Sequence, residues 1–98
     1  MRRDEVIARL KEAEPAIRAR GASALYLFGS YARNEARPDS DVDVFIDKDK
    51  GQKFGFDEFM DIYFLLQDRI GDRVDYGTRE GLHPALRQSI EKEAIRVF

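Results

Sequence analysis

The feature that most constrains this chain is an apolar run that stops at a glycine-serine pair, followed shortly by a stretch alternating acidic with apolar residues. The run Ala24-Leu-Tyr-Leu-Phe28 is continuously apolar and predicts a strand buried on both faces. Gly29-Ser30 breaks it and opens a short helix. The stretch Asp41-Val-Asp-Val-Phe-Ile46 predicts a second strand. Side chains alternate along a strand with a period of about 2. Asp41 and Asp43 therefore project from one face, and Val42, Val44 and Ile46 from the other.

Two bare carboxylates side by side repel, so one takes up a proton unless a cation sits between them. A divalent, oxygen-seeking ion such as Mg²⁺ resolves the repulsion. The Gly29-Ser30 turn offers backbone N–H groups and the positive end of a helix, both suited to a phosphate. Taken singly, each feature has a plainer explanation. An isolated Gly29 is a turn residue, Ser30 an N-cap, and an alternating acidic strand a solvated face. Their adjacency is what points to phosphoryl or nucleotidyl transfer. Arg33, one helical turn beyond Ser30, can reach the same anion or an acidic neighbour. Asn34 follows, a residue that tolerates the left-handed conformation.

The flanking segments read as scaffold. Residues 4–20 look helical, with Val6, Leu10, Ala13 and Ile17 as a buried stripe. Pro15 either kinks that helix or starts a second one, and Gly21 stops it. Arg37-Pro-Asp-Ser40 is a turn. Asp47 to Lys53 reads as a solvated loop whose Lys48, Lys50 or Lys53 are candidates for touching phosphates or a partner. Phe56 to Ile70 is an amphipathic helix, with Phe59, Ile62, Leu66 and Ile70 inward, Asp57 as its cap and Gly71 as its stop. Its aromatic density suggests a core that spills into an oligomer or partner surface. Arg73 to Gly77 is a short third strand carrying Asp75, which joins the acidic pair only if this strand lies beside theirs with Asp75 on the same face. His83-Pro84 opens a last helix with Leu86, Ile90, Ala94 and Val97 as its buried stripe, and the single histidine reads as a cap rather than a base.

With 98 residues the expected organisation is one domain, 1–98, small enough to gain from a partner or a second copy of itself. The fold class expected is α+β: a small mixed sheet with helices mainly on one face, in the order α-β-α-β-α-β-α. A net charge of −2 speaks against a general nucleic-acid binder, leaving nucleic acid only as an acceptor. The absence of cysteine removes disulfides and thiolate metal sites. No apolar run approaches the ~18 residues of a membrane span, and Met1-Arg-Arg-Asp-Glu leads into a helix rather than a signal peptide. A cytoplasmic protein is expected.

Gly29-Ser30-x-Ala-Arg33 followed by Ser40-Asp41-x-Asp43 resembles the signature of the minimal nucleotidyltransferases, which share a catalytic core with DNA polymerase beta. The likeness spans nearly the whole chain, and Val74-Asp75 matches the pair that supplies the family's third carboxylate. Asn34 departs from the glycine that often follows the arginine. The resemblance implies that Asp41, Asp43 and Asp75 hold Mg²⁺, that Gly29, Ser30 and Arg33 hold the phosphates of ATP, and that AMP is transferred with release of pyrophosphate. Proteins of this kind often serve as antitoxins, placing AMP on a tyrosine of a small helical ribonuclease-type toxin of the HEPN class. The competing expectation is a non-catalytic nucleotidyltransferase-like module that neutralises a partner by contact. Three mutually repelling carboxylates favour the enzyme. Transfer to a small molecule such as an aminoglycoside usually needs a further substrate domain, for which this chain has no room.

Overall fold

The computed structural model describes residues 1–98. The elements are α1 (Arg3–Glu12), α2 (Glu14–Ala19), β1 (Ala22–Phe28), α3 (Gly29–Ala32), β2 (Val42–Lys48), α4 (Phe56–Ile70), β3 (Val74–Thr78), a 3₁₀ turn (Arg79–Gly81), α5 (Pro84–Glu93) and β4 (Ile95–Arg96). The four strands form one mixed sheet in the order β3-β2-β1-β4. β1 runs antiparallel to β2 and β4, while β2 and β3 are parallel. No helix is long and apolar enough to cross a membrane.

Side-chain alternation gives the sheet two unlike faces. Leu25, Leu27, Val42, Val44 and Ile46 point to one side and meet Val6, Leu10, Ile17, Ile62 and Leu66 from α1, α2 and α4, all at most 1% exposed. Burying each such side chain contributes roughly 1.5–3 kcal/mol, so this face supplies most of the folding drive. Pro15 starts the second helix, because its ring fits a first helical turn and not an interior one. Gly21 and Gly71 end α2 and α4 with positive φ, where the sequence placed the stops.

Four expectations need correction. β1 is fully buried on one face and only partly on the other, where Ala24 is buried but Tyr26 and Phe28 are half-buried, with Tyr26 stacked on Phe45 at 4.8 Å. Asp47 and Lys48 belong to β2, not to a loop, because they pair with Ala24 and Ala22 and the Arg79 guanidinium grips Asp47 at 2.7 and 3.0 Å. α4 is capped by Gly55 rather than Asp57, with Glu58 Oε1 accepting from the Gly55 N–H at 2.7 Å. The last helix ends at Glu93, since Ala94 is extended and Ile95–Arg96 pair with Leu27 and Tyr26 as an edge strand. Val97 is buried, but past that strand, and Leu86 is 55% exposed rather than inward. The element order thus gains a second N-terminal helix and a fourth strand.

Candidate functional site

The sheet face opposite the α1–α2–α4 layer carries the acidic residues. Asp41 and Asp43 flank the buried Val42, so both lie on this face. β3 pairs with β2 in a register that sets Asp75 directly beside Asp43. Neighbouring strands lie about 4.8 Å apart and register partners share a face. The two carboxylates expected from β2 and the one from β3 thus start from adjacent points of one surface. As their side chains stand, no three acidic groups are close enough to hold a single ion together. Like charges on one face orient apart unless something opposite draws them in.

Asp43 registers the strain of this arrangement. Its carboxyl is pushed up to about 6, first by burial, then by the charges of Asp75 and Asp41, with Arg33 pulling the other way. The donors are hard carboxylate oxygens on a face that lacks enough positive charge, a set that fits Mg²⁺ and not a soft metal. Asp41 is exposed, and the nearest cation is Arg73, whose Nη1 stands 4.0 Å from Asp41 Oδ1 and donates to the Asp39 carbonyl at 2.7 Å.

The turn at the end of β1 abuts this face. Phe28 is the register partner of Asp43, so the next residue, Gly29, arrives beside the Asp43 carboxylate. A Cβ at Gly29 would collide with Asp43 Oδ2, and its φ of +74° is one that side chains disfavour. The backbone conformation calls for glycine, and any side chain there would also force the Asp43 carboxylate to turn away. A cleft next to the turn is lined by Phe28, Gly29, Ser30, Arg33 and Asp43 with Leu86, Ser89, Ile90 and Glu93 of α5. It brings together the turn residues, Arg33 and Asp43, while Asp41 and Asp75 lie outside its lining. Asn34 does take the left-handed conformation, with φ of +58°.

Two residues at the site carried no sequence signal. Glu93 reaches across from the end of α5: the Gly29 N–H donates to its Oε2 at 2.6 Å, and Arg33 Nη1 donates to both its oxygens at 3.2 Å. Arg79 lies over the rings of Tyr26 and Phe45, 5.0 Å from each centroid, and ties α5 to the sheet through Glu91 at 2.6 Å and Asp47. Glu91 and Glu93 sit in a charged helical segment that reads like any solvated face. His83 is a cap, its Nδ1 accepting from the Ala85 N–H at 3.1 Å.

Comparison with known proteins places this chain in a family. The profile of the family described as nucleotidyltransferase domain matches residues 4–97. A protein of Methanocaldococcus jannaschii named as a putative protein adenylyltransferase is 35% identical over 75 residues, 76% of this chain and 75% of that one. The protein adenylyltransferase MntA of Thermococcus cleftensis is 30% identical over 77 residues, covering 79% and 76% of the two chains. Among solved structures, one described as a putative minimal nucleotidyltransferase superposes with a TM-score of 0.74 at 34% identity, over 97% of this chain and 95% of that one. A chain from a toxin-antitoxin crystal structure with AMP-PNP shares the fold, with a TM-score of 0.65 at 17% identity over 100% and 73% of the two chains.

Proposed function

Because the chain belongs to the nucleotidyltransferase domain family, we propose that residues 1–98 act as one catalytic domain that transfers AMP from ATP to a protein hydroxyl. The observation that carries this reading is the register pairing of Asp75 with Asp43, on the face shared with Asp41 and against the Gly29 turn. Asp41, Asp43 and Asp75 would hold Mg²⁺, their side chains turning toward one another to do so. The ion would supply neutralisation of triphosphate charge and a more acidic acceptor hydroxyl.

The chain's own groups do the rest. The Gly29 and Ser30 backbone N–H groups and the Ser30 hydroxyl bind the β and γ phosphates. Arg33 adds positive charge to the same phosphates. The acceptor oxygen attacks the α-phosphorus, a new P–O bond forms, the bond to the β-phosphate bridging oxygen breaks, and pyrophosphate leaves along an axis set by the turn. Asp75 accepts the hydroxyl proton. Positioning and charge neutralisation account for the acceleration.

The acceptor is a tyrosine of a small helical HEPN-type toxin, and the chain is its antitoxin. The toxin-antitoxin neighbour with AMP-PNP and the MntA relative support this reading. The chain is incubated with labelled ATP, Mg²⁺ and the product of the adjacent gene. Label on that product with wild type, absent with Asp43→Asn, is the expected result. One observation favours a contact-only module instead: the Gly29 N–H is already engaged by Glu93. An inhibited but unlabelled partner, with Asp43→Asn as potent as wild type, decides for that module.

A further inference from the structure

The Glu93 carboxylate stands where an anion bound at the turn would stand. Its Oε2 accepts from the Gly29 N–H at 2.6 Å and both oxygens accept from Arg33 at 3.2 Å. A carboxylate and a phosphate make the same demands on such groups: oxygen acceptors, negative charge and charge-assisted hydrogen bonds. The Gly29 N–H points in one direction and cannot serve both. Glu93 also adds a further negative charge to a face that already carries three. An acid in that position is costly unless the amide and the guanidinium repay it.

We propose that Glu93 is an internal anion that plugs the phosphate cradle and is displaced when a triphosphate binds. The inference rests on the nucleotidyltransferase reading of the site. Nucleotide affinity is then set by competition between the ligand and the chain's own α5. Release needs only a swing of the glutamate side chain, because the backbone of the following residues is held by β4 pairing with β1. α5 contributes no fully buried side chain, so nothing packed has to move with it.

Binding of Mg²⁺–ATP and of Mg²⁺–tripolyphosphate is measured by calorimetry on wild type, Glu93→Gln, Glu93→Ala and the exposed charge control Glu80→Gln. Tripolyphosphate isolates the cradle from any contact with the base. Both Glu93 variants are expected to bind both ligands tighter, on the order of tenfold, the size of one charged hydrogen-bonding competitor removed. Glu80→Gln is expected to match wild type. Glu93→Gln keeps an oxygen for the Gly29 N–H and guards against a folding defect, read by thermal melting. Equal or weaker binding in Glu93→Gln, with a cooperative melt, overturns the plug and makes Glu93 a strut. Loss of the cooperative melt in both variants overturns it as well. If wild type and every variant bind neither ligand, the nucleotidyltransferase reading fails and the plug falls with it, a result distinct from failure of the plug alone.

Discussion

The two faces of the sheet share the same strands and the same backbone hydrogen bonds, yet they do opposite things. Toward α1, α2 and α4, Leu25, Leu27, Val42, Val44, Ile46 and Val74 are at most 7% exposed and carry no polar group. On the other side, Asp41, Asp43 and Asp75 share one surface, and Tyr26 and Phe45 are covered by the Arg79 guanidinium. Val42 and Asp43 are consecutive, and the pleat alone separates their duties. One face gives stability through burial of apolar side chains; on the other, the charge of Asp43 is penalised, first by burial and then by its acidic neighbours.

The sharpest way to break this contrast is Asp43→Asn. On the proposed function it lowers AMP transfer about 100- to 1,000-fold, as loss of a key electrostatic group does, while the melting temperature stays level or rises. Wild-type transfer rates in this variant would erase the functional distinction between the faces. Leu27→Ala attacks the other side. It should cost about 2–5 kcal/mol in urea unfolding, read as tens of degrees or less at ~4–8 °C per kcal/mol, with nucleotide affinity of the folded chain unchanged. A cost below ~1 kcal/mol would show that this face is not the stabilising one.

Gly29→Ala sits at the junction and should injure both. The φ of +74° costs a side chain about 1–2 kcal/mol, and its Cβ meets the Asp43 carboxylate. Lower melting together with weaker tripolyphosphate binding is expected; a variant that melts and binds like wild type would separate the turn from the acidic face. The smallest effect concerns pH. Asp43 sits at about 6 in the folded chain against an ordinary 3.8, so the folded chain binds the extra proton between those values. The stability from its neutral form is full below about pH 4 and is lost as pH rises through 6. In chelator, wild type should lose stability over that window relative to Asp43→Asn, and Mg²⁺ at neutral pH should raise melting of wild type but not of the variant. Parallel pH profiles would place the acidic face among ordinary solvated surfaces.

Much of this was legible in the residues. The alternation at Asp41 to Ile46 requires only the strand period, and the left-handed Gly29 and Asn34 require only local backbone sterics. The stripe Val6, Leu10, Ala13, Ile17 is set by helical spacing and is buried as expected. Helix ends were legible where a glycine or proline marks them, and not at residue 94, where Ile95 and Arg96 leave the helix to pair with β1.

What the amino-acid order determined by itself is therefore what strand and helix periods and turn residues fix: which residues share a face, where the turn falls, and that Asp41 and Asp43 stand together. Only the tertiary structure decided that β3 pairs in register to set Asp75 beside Asp43, that Arg79 bridges Asp47 and Glu91, and that Glu93 crosses 64 positions to occupy the Gly29 amide. Those contacts join segments far apart in the chain, and their partners follow from how whole elements pack, which no local pattern of residue types encodes.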